Sequence, residues 1–142
     1  MEFSKVKLQL VKEKDFDYDI QKLSSTSSTV QYLNEIEQLD KSAEERFFVV
    51  CLDIKNRIVA YSEIAKGGTD ICPFDMKTIF KVALSCNSSK IIVAHNHPSG
   101  SAEPSKYDFD VTKKLEQACK IMNVTLLDHI VIGEDSYASC LI

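Results

Sequence analysis

The sequence predicts an α/β fold, a mixed sheet flanked by helices, and three observations point to it. Short apolar runs rich in aromatic and β-branched residues recur along the chain, at Phe47 to Leu52, Ile58 to Tyr61 and Ile91 to Ala94. Between and after them lie segments with helical spacing: Met76, Ile79, Phe80, Ala83 and Leu84, then Val111, Leu115, Ala118 and Met122. The chain has 142 residues and 44% hydrophobic content, enough for one domain with a real core.

Val6, Leu8 and Leu10 alternate with Lys7 and Gln9, which predicts an edge strand within an N-terminal segment over residues 1–28. The Ser/Thr cluster Ser24 to Thr29 offers N-caps, and Val30, Leu33 and Ile36 then predict a short helix near 29–38. Two strands, 47–52 and 58–65, flank the turn-forming Asp53 to Arg57. Asp75 caps a predicted helix over 75–86, and the continuous run at 90–95 reads as a strand covered on both faces. Pro98 to Pro104 is a loop by composition, after which Ser105 opens a helix over 105–122. A strand over 124–132 follows, and Gly133 to Ser136 turns it into a last short strand at Tyr137. The packed domain is expected over residues 29–142.

Bulk composition narrows the function. The formal net charge is −4, and Arg46 and Arg57 are the two arginines, so the basic footprint of a nucleic-acid binder is missing. The apolar runs fall far short of the ~20 residues of a membrane-spanning helix, and no apolar core of a secretory signal stands near the N-terminus. A cytoplasmic protein is the expectation. Cys51, Cys72, Cys86, Cys119 and Cys140 are odd in number and form no Cys-x-x-Cys pair, so they are read as free thiols.

The chemistry concentrates around His95-x-His97 at the end of the buried strand, where two imidazoles meet as the backbone turns outward. Alone, such a pair is more often hydrogen-bonded than metal-binding. Ser105-x-x-Asp108 is equally two-sided: it is a capping box, and it also holds an ionised carboxylate at the positive end of a helix dipole. The joint pattern His95, His97, Pro98, Ser105 and Asp108 coincides by chance in on the order of one in a hundred thousand chains of ordinary composition. Two neutral imidazoles and one carboxylate leave a tetrahedral position open for water, the arrangement of a catalytic rather than a structural Zn2+ site. The strand residue Glu63 is the expected proton-shuttling acid/base, although an isolated strand glutamate is more often simply solvated.

These residues resemble the JAMM (MPN-plus) zinc metalloproteases, and more narrowly their RadC-like branch. The match rests on Ala94-His95-Asn96-His97-Pro98-Ser99-Gly100, on Pro104-Ser105 and on Leu126-Leu127-Asp128-His129-Ile130-Val131-Ile132-Gly133, and it covers the chain from Thr29 onward. In RadC-like sequences the acidic residue stands five positions before a Gly-Thr pair, as Glu63 does before Gly68-Thr69, which favours Glu63 over Glu44 or Glu45. The resemblance implies a cytidine-deaminase-like JAMM fold, zinc as cofactor, a peptide or protein substrate, and Ser105 as hydrogen-bond partner of the oxyanion. The chain departs from the branch where Met76-Lys77-Thr78-Ile79 replaces the usual Pro-Arg-Glu-Ile, and residues 1–28 are too few for the helix-hairpin-helix region of longer RadC proteins.

The predicted activity is hydrolysis of an amide, peptide or isopeptide, by a zinc-activated water. Two other readings stand beside it: a RadC-like DNA-associated protein of repair or recombination, and a metal-binding interaction module. Contiguous His-Asn-His invites a nuclease reading, but that motif names residues dispersed over a ββα unit. A zinc deaminase would need Pro-Cys-x-x-Cys, which the sequence lacks. Asp128 and His129 either extend the metal site or form a buried hydrogen-bonded pair that braces their strand.

Overall fold

A computed structural model describes residues 1–17, 23–67 and 75–141. Five strands form one sheet: β1 (Arg46–Leu52), β2 (Ile58–Lys66), β3 (Lys90–Asn96), β4 (Thr125–Ile132) and β5 (Tyr137–Ser139). Their order is β2-β1-β3-β4-β5. The β3/β4 pair is parallel and the others are antiparallel, so the sheet is mixed, as the sequence predicts. The parallel pair needs a long crossover, which the helix α3 (Lys106–Met122) supplies.

Period-2 alternation splits the central strands between two cores. Phe48, Val50, Leu52, Ile92 and Ala94 pack against the helix α1 (Thr26–Glu37) on one face. Phe47, Val49, Cys51, Ile91 and Val93 pack on the other against Ile79, Phe80 and Ala83 of α2 (Met76–Ser85) and Leu115 and Cys119 of α3. Both helix layers and both caps agree with the sequence pattern: Asp75 accepts the Thr78 N–H, and Ser105 the Asp108 N–H. The β1–β2 turn is held by Asp53, whose Oδ1 accepts the N–H groups of Lys55 and Arg57, with Asn56 at φ 63°.

Two expectations change. Residues 1–17 carry neither helix nor strand, and Val6, Leu8 and Leu10 are exposed, so the predicted N-terminal edge strand does not form. Three apolar side chains among lysines and glutamates bury too little surface to offset ordering at roughly 1–2 kcal/mol per residue. The first helix starts at Thr26 rather than near 29, because Ser25 and Ser28 form a reciprocal capping box one turn earlier. Leu23, ahead of this helix, is buried in the α1-side core, and its N–H donates to Asn56 O at 3.0 Å. Cys51, Cys86, Cys119 and Cys140 are free thiols, and Cys72 lies outside the described residues. No helix among the described residues is long and apolar enough to cross a membrane.

Candidate metal centre

Strand parity aims the first histidine. His95 continues the Ile91, Val93 series on the α2/α3 face of β3, and Phe47 stacks flat on its ring at 5.6 Å and 10°. His97 follows the strand end, fixed by its N–H to Ile132 O (2.9 Å), while its Nδ1 lies 3.0 Å from Ser101 O. A carbonyl only accepts, so Nδ1 carries the proton and Nε2 faces inward. Asp108 comes from the first turn of α3, where its carboxylate accepts the Ser105 N–H at 2.8 Å and Ser105 Oγ accepts the Asp108 N–H at 3.1 Å. Capping and convergence on the histidines therefore hold together. The hydroxyl proton of Ser105 donates in no hydrogen bond among the described residues.

The three side chains meet at one point. His95 Nε2 and His97 Nε2 are 3.3 Å apart, Asp108 Oδ1 is 3.1 Å from His95 Nε2, and Asp108 Oδ2 is 3.2 Å from His97 Nε2. A tetrahedral ion with ligand bonds of ~2.0–2.1 Å requires donor–donor edges of about 3.3 Å. The residues present thus fit a small tetrahedral cation. Glu45, His95 and His97 also form a cluster that could hold a metal ion, with Glu45 Oε1 3.8 Å from His95 Nε2. That separation exceeds the triangle's edges and sets Glu45 one step outside it. Glu45, His95, Tyr107 and Asp108 line one open cleft with Phe47 and His129.

The electrostatics agree. Burial alone would raise the Asp108 pKa, but the His95 and His97 rings against it outweigh that and hold the carboxylate far below its ordinary value. The same contact with Asp108 raises His97 despite partial burial. His129 is pushed down to about 3, first by desolvation and then by the neighbouring His95, so it is neutral.

Residues 23–141 match the family model of the RadC-like JAB domain. The chain belongs to the RadC-like JAB family. A UPF0758 protein of Actinobacillus pleuropneumoniae serotype 5b (strain L20) is 41% identical over 102 residues, covering 72% of this chain and 46% of the relative. Another UPF0758 protein, of Cellvibrio japonicus (strain Ueda107), is 39% identical over 117 residues, covering 82% of this chain and 51% of the relative. The chain spans about half the length of these relatives.

Within this RadC-like JAB domain, His95, His97 and Asp108 come together, Ser105 touches Asp108 through the capping box, and Glu63 stands apart. Glu63 sits opposite Phe48 in the β1/β2 register, on the α1 face of the sheet. There its two oxygens accept hydrogen bonds from Arg46 at 3.1 and 3.0 Å, while Arg46 also binds Glu37 at 2.7 Å and lies over the Phe48 ring. A carboxylate committed to an arginine across the sheet cannot reach the histidines. The Gly68-Thr69 pair that favoured it lies outside the described residues. Glu45, two residues before Phe47, shares the parity of the histidine face.

Asn96 holds Glu45 there, a role that sequence reading missed by setting the His-Asn-His string aside. Its side chain leaves the opposite face of β3, accepts the Arg46 N–H at 2.7 Å and donates to Glu44 O at 2.9 Å, so one amide brackets Glu45 from both sides. Asp128 and His129 part company. Asp128 turns to the α1 side, accepting from Thr26 Oγ1 at 2.6 Å, from Ser139 Oγ and from the backbone N–H of His129. The His129 ring instead reaches His95, with Nε2 3.1 Å from His95 Nδ1.

Proposed function

We propose that this RadC-like JAB domain is a zinc-dependent hydrolase of amide bonds, peptide or isopeptide, with His95, His97 and Asp108 as metal ligands and Glu45 as acid/base. The single observation that supports it best is the 3.1–3.3 Å triangle of donors with a second carboxylate 3.8 Å from one corner. Two imidazoles and a carboxylate suit zinc, whereas magnesium and calcium favour oxygen-only shells. Zinc held there supplies Lewis acidity, lowering the pKa of water toward ~7 and polarising a carbonyl.

The chain's own groups do the rest. Glu45, within a water's reach of the triangle, takes the proton of the attacking water and returns it to the leaving nitrogen. Ser105, next to Asp108 in the capping box and with its hydroxyl proton available, donates to the carbonyl oxygen as charge builds on it. Phe47 stacked on His95 excludes water from the inner wall.

The test is the metal content of the purified protein, followed by a screen of peptide and isopeptide libraries. Zinc is expected at one ion per chain, and His95→Ala, His97→Ala and Asp108→Ala each lose it while the domain stays folded. Full occupancy in a double His95→Ala, His97→Ala variant would overturn the ligand set. Zinc bound without hydrolysis across a broad screen would favour a metal-bearing interaction module.

A further inference from the structure

Two buried polar side chains, Thr112 at 2% and His129 at 1% exposure, take no part in the chemistry above. They form one line into the centre. Thr112 Oγ1 lies 2.8 Å from Asp108 O and 2.6 Å from His129 Nδ1, and His129 Nε2 lies 3.1 Å from His95 Nδ1. A hydroxyl has one proton, and a carbonyl can only accept. Thr112 must therefore donate to Asp108 O, which leaves its lone pairs facing His129. Cys140 also abuts this hydroxyl.

The direction of every later bond follows. His129 Nδ1, facing a lone pair, must be the protonated nitrogen of a neutral ring, so its Nε2 is an acceptor. His95 Nδ1, facing that acceptor, must donate. The proton of His95 is then on Nδ1, and its Nε2 presents a lone pair toward Asp108 and His97.

We propose that Thr112 and His129 are positioning residues that fix the tautomer of His95, so that its Nε2 lone pair faces the metal centre before any ion arrives. The proposal rests on the metal reading given above. The relay begins at the carbonyl of Asp108, so the residue that offers a carboxylate to the ion also anchors, through its backbone, the tautomer of a second ligand.

Ring-nitrogen NMR of the 15N-labelled protein, with and without zinc, reads the His129 tautomer directly, and competition titration reads zinc affinity. Expected in the wild type is a protonated Nδ1 and a bare Nε2 on His129 in both states. Thr112→Val keeps the side chain's shape and removes the hydroxyl. The His129 proton then moves to Nε2 and zinc affinity falls by about 10- to 100-fold, while Thr112→Ser restores both. A packing role alone would not move the His129 proton. A wild-type His129 protonated on Nε2, or Thr112→Val binding zinc within about twofold of wild type, overturns the relay even where zinc binds normally. A wild type that binds no zinc overturns the metal reading and the proposal with it, and is told apart because the His129 tautomer is read in the metal-free protein.

Discussion

Exchanging each of two glutamates for glutamine separates the proposed catalytic side of the sheet from the structural one. Glu63 accepts two charge-assisted hydrogen bonds from Arg46 and is 34% exposed, while Arg46 keeps Glu37 at 2.7 Å when Glu63 is neutralised. The loss therefore sits at the upper end of an exposed ion pair, ~0.2–1 kcal/mol, and stays below the ~3–5 kcal/mol of a buried pair that strands a charge. About 1 kcal/mol is expected for Glu63→Gln. In a domain of this size that lowers Tm by roughly 3 °C. Zinc affinity and hydrolysis are unchanged, because no atom of Glu63 faces the histidines. Glu45→Gln is the mirror image: stability within about 0.5 kcal/mol, zinc retained, and hydrolysis reduced by ~10² to 10⁴ for want of a group to take the water's proton. Thermal and urea unfolding, zinc competition and turnover of a peptide substrate read the four arms. Loss of turnover in Glu63→Gln with zinc still bound would refute the assignment of faces, as would near wild-type turnover in Glu45→Gln.

Further outcomes follow from the same geometry. Asn96→Ala removes the amide that brackets Glu45 and leaves the half-buried Arg46 N–H without this partner, so it should destabilise the domain by about 1–3 kcal/mol and cut turnover while zinc stays bound; equal urea midpoints for variant and wild type would count against the bracket. Burial pushes Cys51 and Cys140 up to about 12 and Cys119 up to about 11. These thiols stay protonated in the fold while the unfolded chain ionises near ~8.5, so their contribution is whole below that pH and is lost as pH rises toward their folded values. Peptide mapping after thiol alkylation at pH 8 should find all three labelled no faster than the protein unfolds, and labelling within the mixing time would refute their burial.

The elements were legible because each is built by a local rule. Apolar runs and helical spacing located β1, β3, α2 and α3, and the caps at Asp75 and Ser105 read directly from residue type. The N-terminal alternation failed because period 2 states only that one face could be buried, not that a sheet edge is there to bury it. The meeting of His95, His97 and Asp108 was legible for a related reason: two are fixed by one strand end and the third by the first turn of the helix that follows, so a single short stretch of chain determines it.

The proposed acid/base is a different kind of problem. Glu45 and Glu63 both sit on or beside strands upstream of the histidines, and which one faces them depends on registers set across the sheet. Phe47 pairs with His95 and with Ala65, and a register shift between Phe47 and Phe48 then puts Glu63 opposite Phe48. One residue of shift moves a side chain to the other face, so the bulge decides the matter, and no residue type in β2 announces it. The parity of β1 was nonetheless readable. Its antiparallel neighbour β3 carries His95 on the face of Ile91 and Val93, and Phe47 packs on that face with Val49 and Cys51. Counting back by two from Phe47 arrives at Glu45, and counting back by two from Phe48 arrives at Arg46, the cation that occupies Glu63. Register in the sheet, rather than spacing to a downstream Gly-Thr pair, is therefore the physical variable that sets which carboxylate shares the histidine face.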